Sequence, residues 1–137
     1  MNIKEGENEM KELILTIGLP RSGKTTWART QGFPIVNPDS IRLAFHGEFF
    51  IPAAEPMVWC IAKYMVKALF LAGHNKIIVD ATNTTKERRD FWKSDYWRCV
   101  YHYINTPTSI CIQRAIETNR EELIPIIKEL SEKIDWK

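Results

Sequence analysis

Apolar positions along the chain follow two alternating rhythms. Leu13-Ile14-Leu15-Thr16-Ile17, Ile35-Val36-Asn37 and Ile77-Ile78-Val79 are short apolar runs that pass abruptly into a glycine or a polar residue, as buried parallel strands do where they enter a loop. Arg98 to Ile104 is rich in β-branched and aromatic residues and predicts a fourth strand. Between these runs the pattern turns helical. Thr25 to Thr30 predicts a helix ending near Gly32, and a second opens where Asp39 or Ser40 can cap it, runs to His46 and stops at Gly47. MVWCIAKYMVKALFLAG, Met57 to Gly73, is the longest helical pattern and carries Lys63 and Lys67 on one face. Thr and Glu stand at capping-box spacing in Thr84-Thr85-Lys86-Glu87, which predicts a helix through Arg88, Arg89 and Trp92. Thr106-Pro107-Thr108 opens another through Arg114, and Pro125 stands where a first-turn proline starts the last, IIKELSEKI. Strands alternating with helices predict an α/β fold with a short parallel sheet.

Size and composition narrow this picture only a little. The 137 residues suffice for one hydrophobic core, so residues 13–137 are expected to form a single domain behind a polar, aperiodic, flexible tail over residues 1–12. With 45% hydrophobic and 26% charged residues, disordered and collagen-like classes are excluded. No apolar run reaches the length of a bilayer span, and MNIKEGENEMKE lacks the apolar centre of a signal peptide. A cytoplasmic protein with no membrane partner is therefore expected. Cys60, Cys99 and Cys111 stand far apart without metal-ligand spacing and are expected to be buried free thiols. His46, His74 and His102 show no ligand spacing either. The formal net charge of +2 does not by itself point to a nucleic acid.

Chemistry enters at Gly18-Leu19-Pro20-Arg21-Ser22-Gly23-Lys24-Thr25-Thr26, where the first eight residues have the Walker A spacing GxxxxGK[ST]. Glycines allow the tight loop, backbone N–H groups can cradle phosphates, and the helix that follows directs its positive end at the anion. Lys24 is expected to reach the β- and γ-phosphates of ATP, and Thr25 to ligate Mg²⁺. The loop follows a predicted strand and precedes a predicted helix, the context that separates a site from a glycine-rich turn. Asp80 ends an apolar strand in the manner of a Walker B carboxylate near the Mg²⁺ shell; capping a turn is the alternative. A phosphate donor leaves the acceptor unnamed. Transfer to a hydroxyl needs a group to orient it and take its proton. Asp39 is placed to do so, with Arg42 three residues on along the same helix face to hold an anionic group of the acceptor. A capping aspartate with an intrahelical arginine is the plainer alternative.

Taken together and in this order, NPDSIR (Asn37 to Arg42), DATNTTKERR (Asp80 to Arg89) and the Walker A loop resemble the kinase domain of bacteriophage polynucleotide 5′-hydroxyl kinase and its relatives. The resemblance covers Leu13 to about Lys133. It implies a three-layer P-loop NTPase fold of the nucleoside-kinase type with a helical lid after Asn119, an ATP-dependent transfer to the 5′-hydroxyl end of DNA or RNA, and Asp39 as general base. Arg42 then binds the phosphate that follows the terminal nucleoside. The family's lid arginine lies five residues before a proline, as Arg120 does before Pro125, while Arg114 matches an earlier arginine. Either can bind the ATP phosphates, and Arg120 is the one expected to stabilise the transferring group; a bare surface arginine is the alternative for both. Thr82 and Asn83 are expected at the mouth of the third strand, as acceptor contacts or as turn formers. Arg88 and Arg89 match the family's paired arginines, and at least one is expected to touch an acidic partner, Arg88 being taken as an acceptor contact. Phe45, Phe49 and Phe50 are candidates for stacking an acceptor base, with core packing as their commoner use.

Three features depart from the resemblance. Arg21 stands where a small residue is usual, and either adds a phosphate contact or blocks one. The lid is acidic, with Glu117, Glu121 and Glu122, and the chain leaves no room for the phosphatase domain of the phage enzyme, so 3′-end repair is not expected. Two other readings share the scaffold: a small-molecule kinase acting on an antibiotic, nucleoside, sugar or nucleotide sugar, and a non-catalytic ATP-binding regulatory module. Asp39, Arg42 and a lid arginine together argue against the second, since a switch needs no acceptor base.

Overall fold

The computed structural model describes residues 11–47 and 50–136. In chain order its elements are β1 (Glu12–Ile17), α1 (Lys24–Thr30), β2 (Ile35–Val36), α2 (Pro38–His46), α3 (Glu55–Leu71), β3 (Lys76–Val79), α4 (Lys86–Phe91), β4 (Arg98–Tyr103), α5 (Thr108–Glu117) and α6 (Ile124–Lys133). Short 3-10 turns at Pro52–Ala54 and Glu121–Leu123 lead into α3 and α6. The predicted tail over residues 1–10 and the stacking candidate Phe49 lie outside the described residues.

All strand pairs are parallel, in the order β2-β3-β1-β4. Side chains alternate across this sheet, and each face has its own cover. Leu13 and Leu15 of β1, Val36 of β2 and Ile77 and Val79 of β3 meet Ile41 of α2 and the α3 stripe Val58, Ala62, Val66 and Phe70, with Trp92 and Trp97 closing the cluster. On the other face His102 of β4, level with Thr16, stacks on Trp27 of α1 with ring centroids 3.7 Å apart. Helix, sheet, helix is the three-layer α/β arrangement expected from the sequence. A second apolar cluster joins Leu19 of the Walker A loop to Cys111 and Ala115 of α5 and Ile127 of α6, so the last two helices rest directly on that loop.

Several predicted details shift. The first strand begins at Glu12, inside the predicted tail, because Lys11 and Glu12 already pair with Arg98 through backbone and side chain. Neither Asp39 nor Ser40 caps α2. Pro38, with no N–H and a fixed φ, takes the first helical position, and Asn37 accepts from the Asp39 and Ser40 N–H groups at 2.8 and 3.3 Å. At α4 the cap is Thr85, which accepts from Arg88 N at 3.2 Å, because Thr84 is buried and its carbonyl is taken by Asp135 N. Of the three thiols expected to be buried only Cys111 is; Cys99 is half-buried and Cys60 is exposed, since Cys60 lies off the inward stripe of α3. Phe45 and Phe50 are also exposed, so the core does not use them. Among the described residues no helix is long and apolar enough to cross a membrane.

Candidate active site

Three strand ends converge where the parallel sheet opens toward α1, the topological position at which such folds bind ligands. The Walker A residues Gly18 to Thr25 leave β1 and wrap into the first turn of α1. Gly23 has φ +103 and no room is to spare at Gly18, where a Cβ would stand 2.8 Å from Ser22 Oγ and 3.0 Å from the Ile104 carbonyl. Arg21 is left-handed at φ 66 without being glycine, a conformation that costs a bulky residue energy and that its surroundings must hold. Thr106 helps by donating its hydroxyl to the Ser22 carbonyl at 2.7 Å. From above, Arg114 of α5 donates to the Arg21 carbonyl at 3.2 Å and lies 3.7 Å from where a Gly23 Cβ would be. Leu19 is buried under α5 and α6, while Pro20 is half-buried and Thr26 exposed.

Lys24 is buried, with its Nζ donating to the Leu19 carbonyl at 2.6 Å. Burial pushes its pKa down from 10.5 to about 8, partly countered by the Asp80 carboxylate. The sign of the pH effect follows: between about pH 8 and 10.5 the unfolded chain holds this proton and the folded chain does not, so Lys24 makes stability rise with pH across that window. Lys24→Met is therefore expected to be more stable than the parent at pH 7, by about 2 kcal/mol once the lost hydrogen bond is deducted. The gain should shrink as pH passes from 8 toward 10.5. Urea unfolding of both proteins at matched pH values measures the difference, and a pH-independent gap would contradict the assignment.

Asp80, at the end of β3, is buried and accepts from the Thr25 hydroxyl at 2.6 Å and from Asn37 Nδ2 at 3.1 Å, both on Oδ2. Asn37 thus joins two ends of the site, capping α2 with its oxygen and holding Asp80 with its nitrogen. Among the described residues no group of three His, Cys, Asp or Glu side chains could hold a metal alone. One hydroxyl beside one carboxylate suits Mg²⁺, which keeps its waters and takes most remaining ligands from phosphate oxygens. Behind Asp80 the chain is clamped: the Thr16 hydroxyl donates to the Ala81 carbonyl at 2.8 Å, Gly18 N donates to the Thr82 carbonyl at 3.2 Å, and left-handed Asn83 donates to the Thr16 carbonyl at 2.8 Å. Asn83 is therefore a buried turn former, whereas Thr82 is half-buried at the mouth of β3.

Beside this lies the second half of the site. Asp39 Oδ1 accepts from Arg42 at 2.6 Å, its side chain 61% exposed. Arg42 is far less exposed because Glu55, the first residue of α3, accepts from its Nε at 2.9 Å and from its second amino group at 2.6 Å. The hydrogen bonds from Arg42 hold Glu55 below the usual carboxylate range, while Arg42 itself is raised, burial being outweighed by Glu55 and Asp39. Arg88 lies flat on Trp59, 3.5 Å from the ring centroid, and burial lowers its pKa with Glu55 opposing. Asp39, Arg42 and Arg88 are thus brought together as expected, but Glu55, Asn37, Thr16 and Trp59 were not anticipated. No spacing joins Glu55 to an arginine thirteen residues earlier; only the start of α3 against α2 does.

Arg89 leaves this group. It is buried and donates to the carbonyls of Asn83 and Asp135 at 3.1 and 2.9 Å, with the Asp135 carboxylate at 3.2 Å. It is the member of the arginine pair that finds an acidic partner. Arg120 donates to Glu122, whose carboxyl is held low by that bond first and by Arg21 more weakly.

A parallel sheet, a Walker A loop into a helix, and a buried aspartate against the loop threonine define a P-loop protein of the kinase type, a fold that implies nucleotide binding with a metal. An AAA domain profile matches residues 13–127, and the chain belongs to that family. Among solved structures, a Pnkp1/Rnl/Hen1 complex matches with TM-score 0.68 and 25% identity over 76% of this chain and 38% of that one. A second, described as the Pnkp1/Rnl/Hen1 RNA repair complex, matches with TM-score 0.70 and 22% identity over 94% of this chain and 48% of that one. A gluconokinase from Sinorhizobium meliloti 1021 matches with TM-score 0.63 at 14% identity, over 93% of this chain and 77% of that one. The chain spans less than half the length of the RNA-repair chains it matches.

Proposed function

We propose that residues 13–137 act as one kinase domain that transfers the γ-phosphate of ATP to the 5′-hydroxyl end of DNA or RNA. The observation that carries this reading is the exposed Asp39 carboxylate, held by Arg42 at 2.6 Å and two residues from the asparagine that holds Asp80. Asp39 accepts the proton as the 5′ oxygen bonds to the γ-phosphorus and the bond to the β-γ bridging oxygen breaks, releasing ADP. Arg42, with Nε and one amino group committed to Glu55, keeps N–H donors for the phosphate that follows the terminal nucleoside. Lys24 leaves the Leu19 carbonyl for the β- and γ-phosphates, and Gly18, Leu19, Pro20, Arg21, Ser22, Gly23, Thr25 and Thr26 form the cradle. Thr25 and Asp80 would hold Mg²⁺, which would supply charge neutralisation at the phosphates. Arg114, which donates to the Arg21 carbonyl, reaches the ATP phosphates, Arg120 serves the transferring group once the lid swings, and Thr82 and Arg88 line the acceptor side.

The match at 25% identity to a Pnkp1/Rnl/Hen1 complex supports the acceptor class, while the likeness to gluconokinase, at 14% identity, supports the fold alone. Incubation with γ-labelled ATP, Mg²⁺ and 5′-hydroxyl oligonucleotides tests the reading, with 5′-phosphorylated strands as blanks. Label on the hydroxyl strands only is expected. No label, with ATP still bound, would move the activity to sugars, nucleosides and nucleotide sugars.

A further inference from the structure

We propose that the groove along α3 is a track for single-stranded polynucleotide, receiving the nucleotides on the 3′ side of the acceptor end. This rests on the polynucleotide reading above and extends it. The groove has a volume of about 640 Å³ and begins at Glu55 and Arg88, at the acceptor end of the site. It then follows one face of α3, where Glu55, Trp59, Lys63 and Lys67 recur every four residues. From Glu55 to Lys67 the helix rises about 18 Å, room for a few nucleotides beyond the one that reacts.

The chemistry along this face alternates between cations and rings. Arg88 lies on Trp59 at 3.5 Å; Lys63 donates to the Phe91 carbonyl at 2.6 Å and sits 4.6 Å from its ring centroid; Lys67 sits 5.4 Å from the ring centroid of Tyr64. Tyr64 is 66% exposed and presents a π-face to solvent. Glu55 is the one carboxylate on the lining and is already engaged by Arg42. Evenly spaced cations with an exposed aromatic platform are what a phosphate backbone with splayed bases takes, without sequence preference. A small sugar needs no such length. An amphipathic protein helix needs an unbroken apolar stripe, and here Lys63 and Lys67 interrupt it. The small net charge of +2 is therefore compatible with nucleic acid, because Lys63, Lys67 and Arg88 line this one groove with a single carboxylate.

Fluorescence anisotropy of labelled 5′-hydroxyl oligonucleotides, from dinucleotide to decamer and in both DNA and RNA, tests the track. Affinity is expected to rise with length until the groove is filled. In Lys63→Gln/Lys67→Gln, where glutamine can still donate to the Phe91 carbonyl, decamer affinity should fall about tenfold, and the slope of log K against log salt should shrink by about 1.4. Tyr64→Ala should weaken the decamer about tenfold with the salt slope unmoved. Both Tyr64 and Lys67 are exposed, so Tyr64→Ala and Lys67→Gln carry the test should exchange of Lys63 disturb folding. Affinity independent of length, or a length dependence preserved in the folded lysine variant, would overturn the track. Phosphoryl transfer on the same strands separates the two readings. No transfer to any of them, with lysine-dependent binding intact, sinks the kinase reading and leaves the track; equal transfer to dinucleotide and decamer does the reverse.

Discussion

Asp39→Ala is expected to lose phosphoryl transfer to 5′-hydroxyl strands by about 10²- to 10⁴-fold in kcat, with ATP affinity close to that of the parent. The size follows from what is removed, a largely exposed carboxylate held against Arg42. Its ion pair contributes little to the fold, since the Asp39 carboxylate is largely exposed and can return to water, while Arg42 keeps its two bonds to Glu55. A loss of rate without a loss of stability therefore separates a base from a helix-surface aspartate. Asp39→Asn adds a stricter control by keeping shape and one acceptor oxygen while losing basicity. Single-turnover transfer from labelled ATP, alongside thermal unfolding, makes the measurement. Retention of parental kcat in the folded alanine variant would assign the proton to another group.

Arg89→Met is expected to cost about 3 kcal/mol of stability and roughly ten degrees in unfolding midpoint. Its guanidinium is buried and ties the Asn83 turn to the segment after α6 through two carbonyls and one carboxylate. Methionine fills similar space but leaves the carbonyl of buried Asn83 without that donor. The half-exposed Asp135 carboxylate can return to water, which keeps the cost below that of a fully buried pair left broken. The Asp135 N–H to Thr84 carbonyl bond, at 2.9 Å, remains but should fray. Because Asn83 also donates to the Thr16 carbonyl, loosening this latch is expected to raise KM for the acceptor more than for ATP. Chemical denaturation and acceptor titrations check the two halves, and a variant as stable as the parent would show that the latch is dispensable.

Much of this architecture was legible from local pattern. The run Leu13 to Ile17, the glycine stops at Gly47 and Gly73, and Pro125 at the start of α6 each act within a few residues of themselves. The Walker A loop was legible for the same reason, since its spacing alone sets which backbone groups face a phosphate. Asp39 with Arg42 was legible as a pair because one helical turn joins them. The cap of α2, expected at Asp39 or Ser40, falls two or three residues earlier at Asn37 because several neighbouring side chains can accept the same N–H groups. Pro38 decides among them by fixing where the helix starts.

What no local pattern carried is the distant partner of each buried or half-buried charged group. Glu55 holds Arg42, Asn37 and Thr25 hold Asp80, and Asp135 holds Arg89, across separations that only the folded sheet closes. The two members of Arg88-Arg89 look alike in sequence. A helix turns by about 100° per residue, so one lies on Trp59 beside the acceptor groove and the other is buried in a latch. Sequence by itself determined the order of the elements, the Walker A loop and the pairing of Asp39 with Arg42, because those depend on spacing along one strand or one turn. Tertiary structure decided which carboxylate steadies which arginine and where the basic face of α3 leads, because burial and charge pairing are properties of neighbours in space.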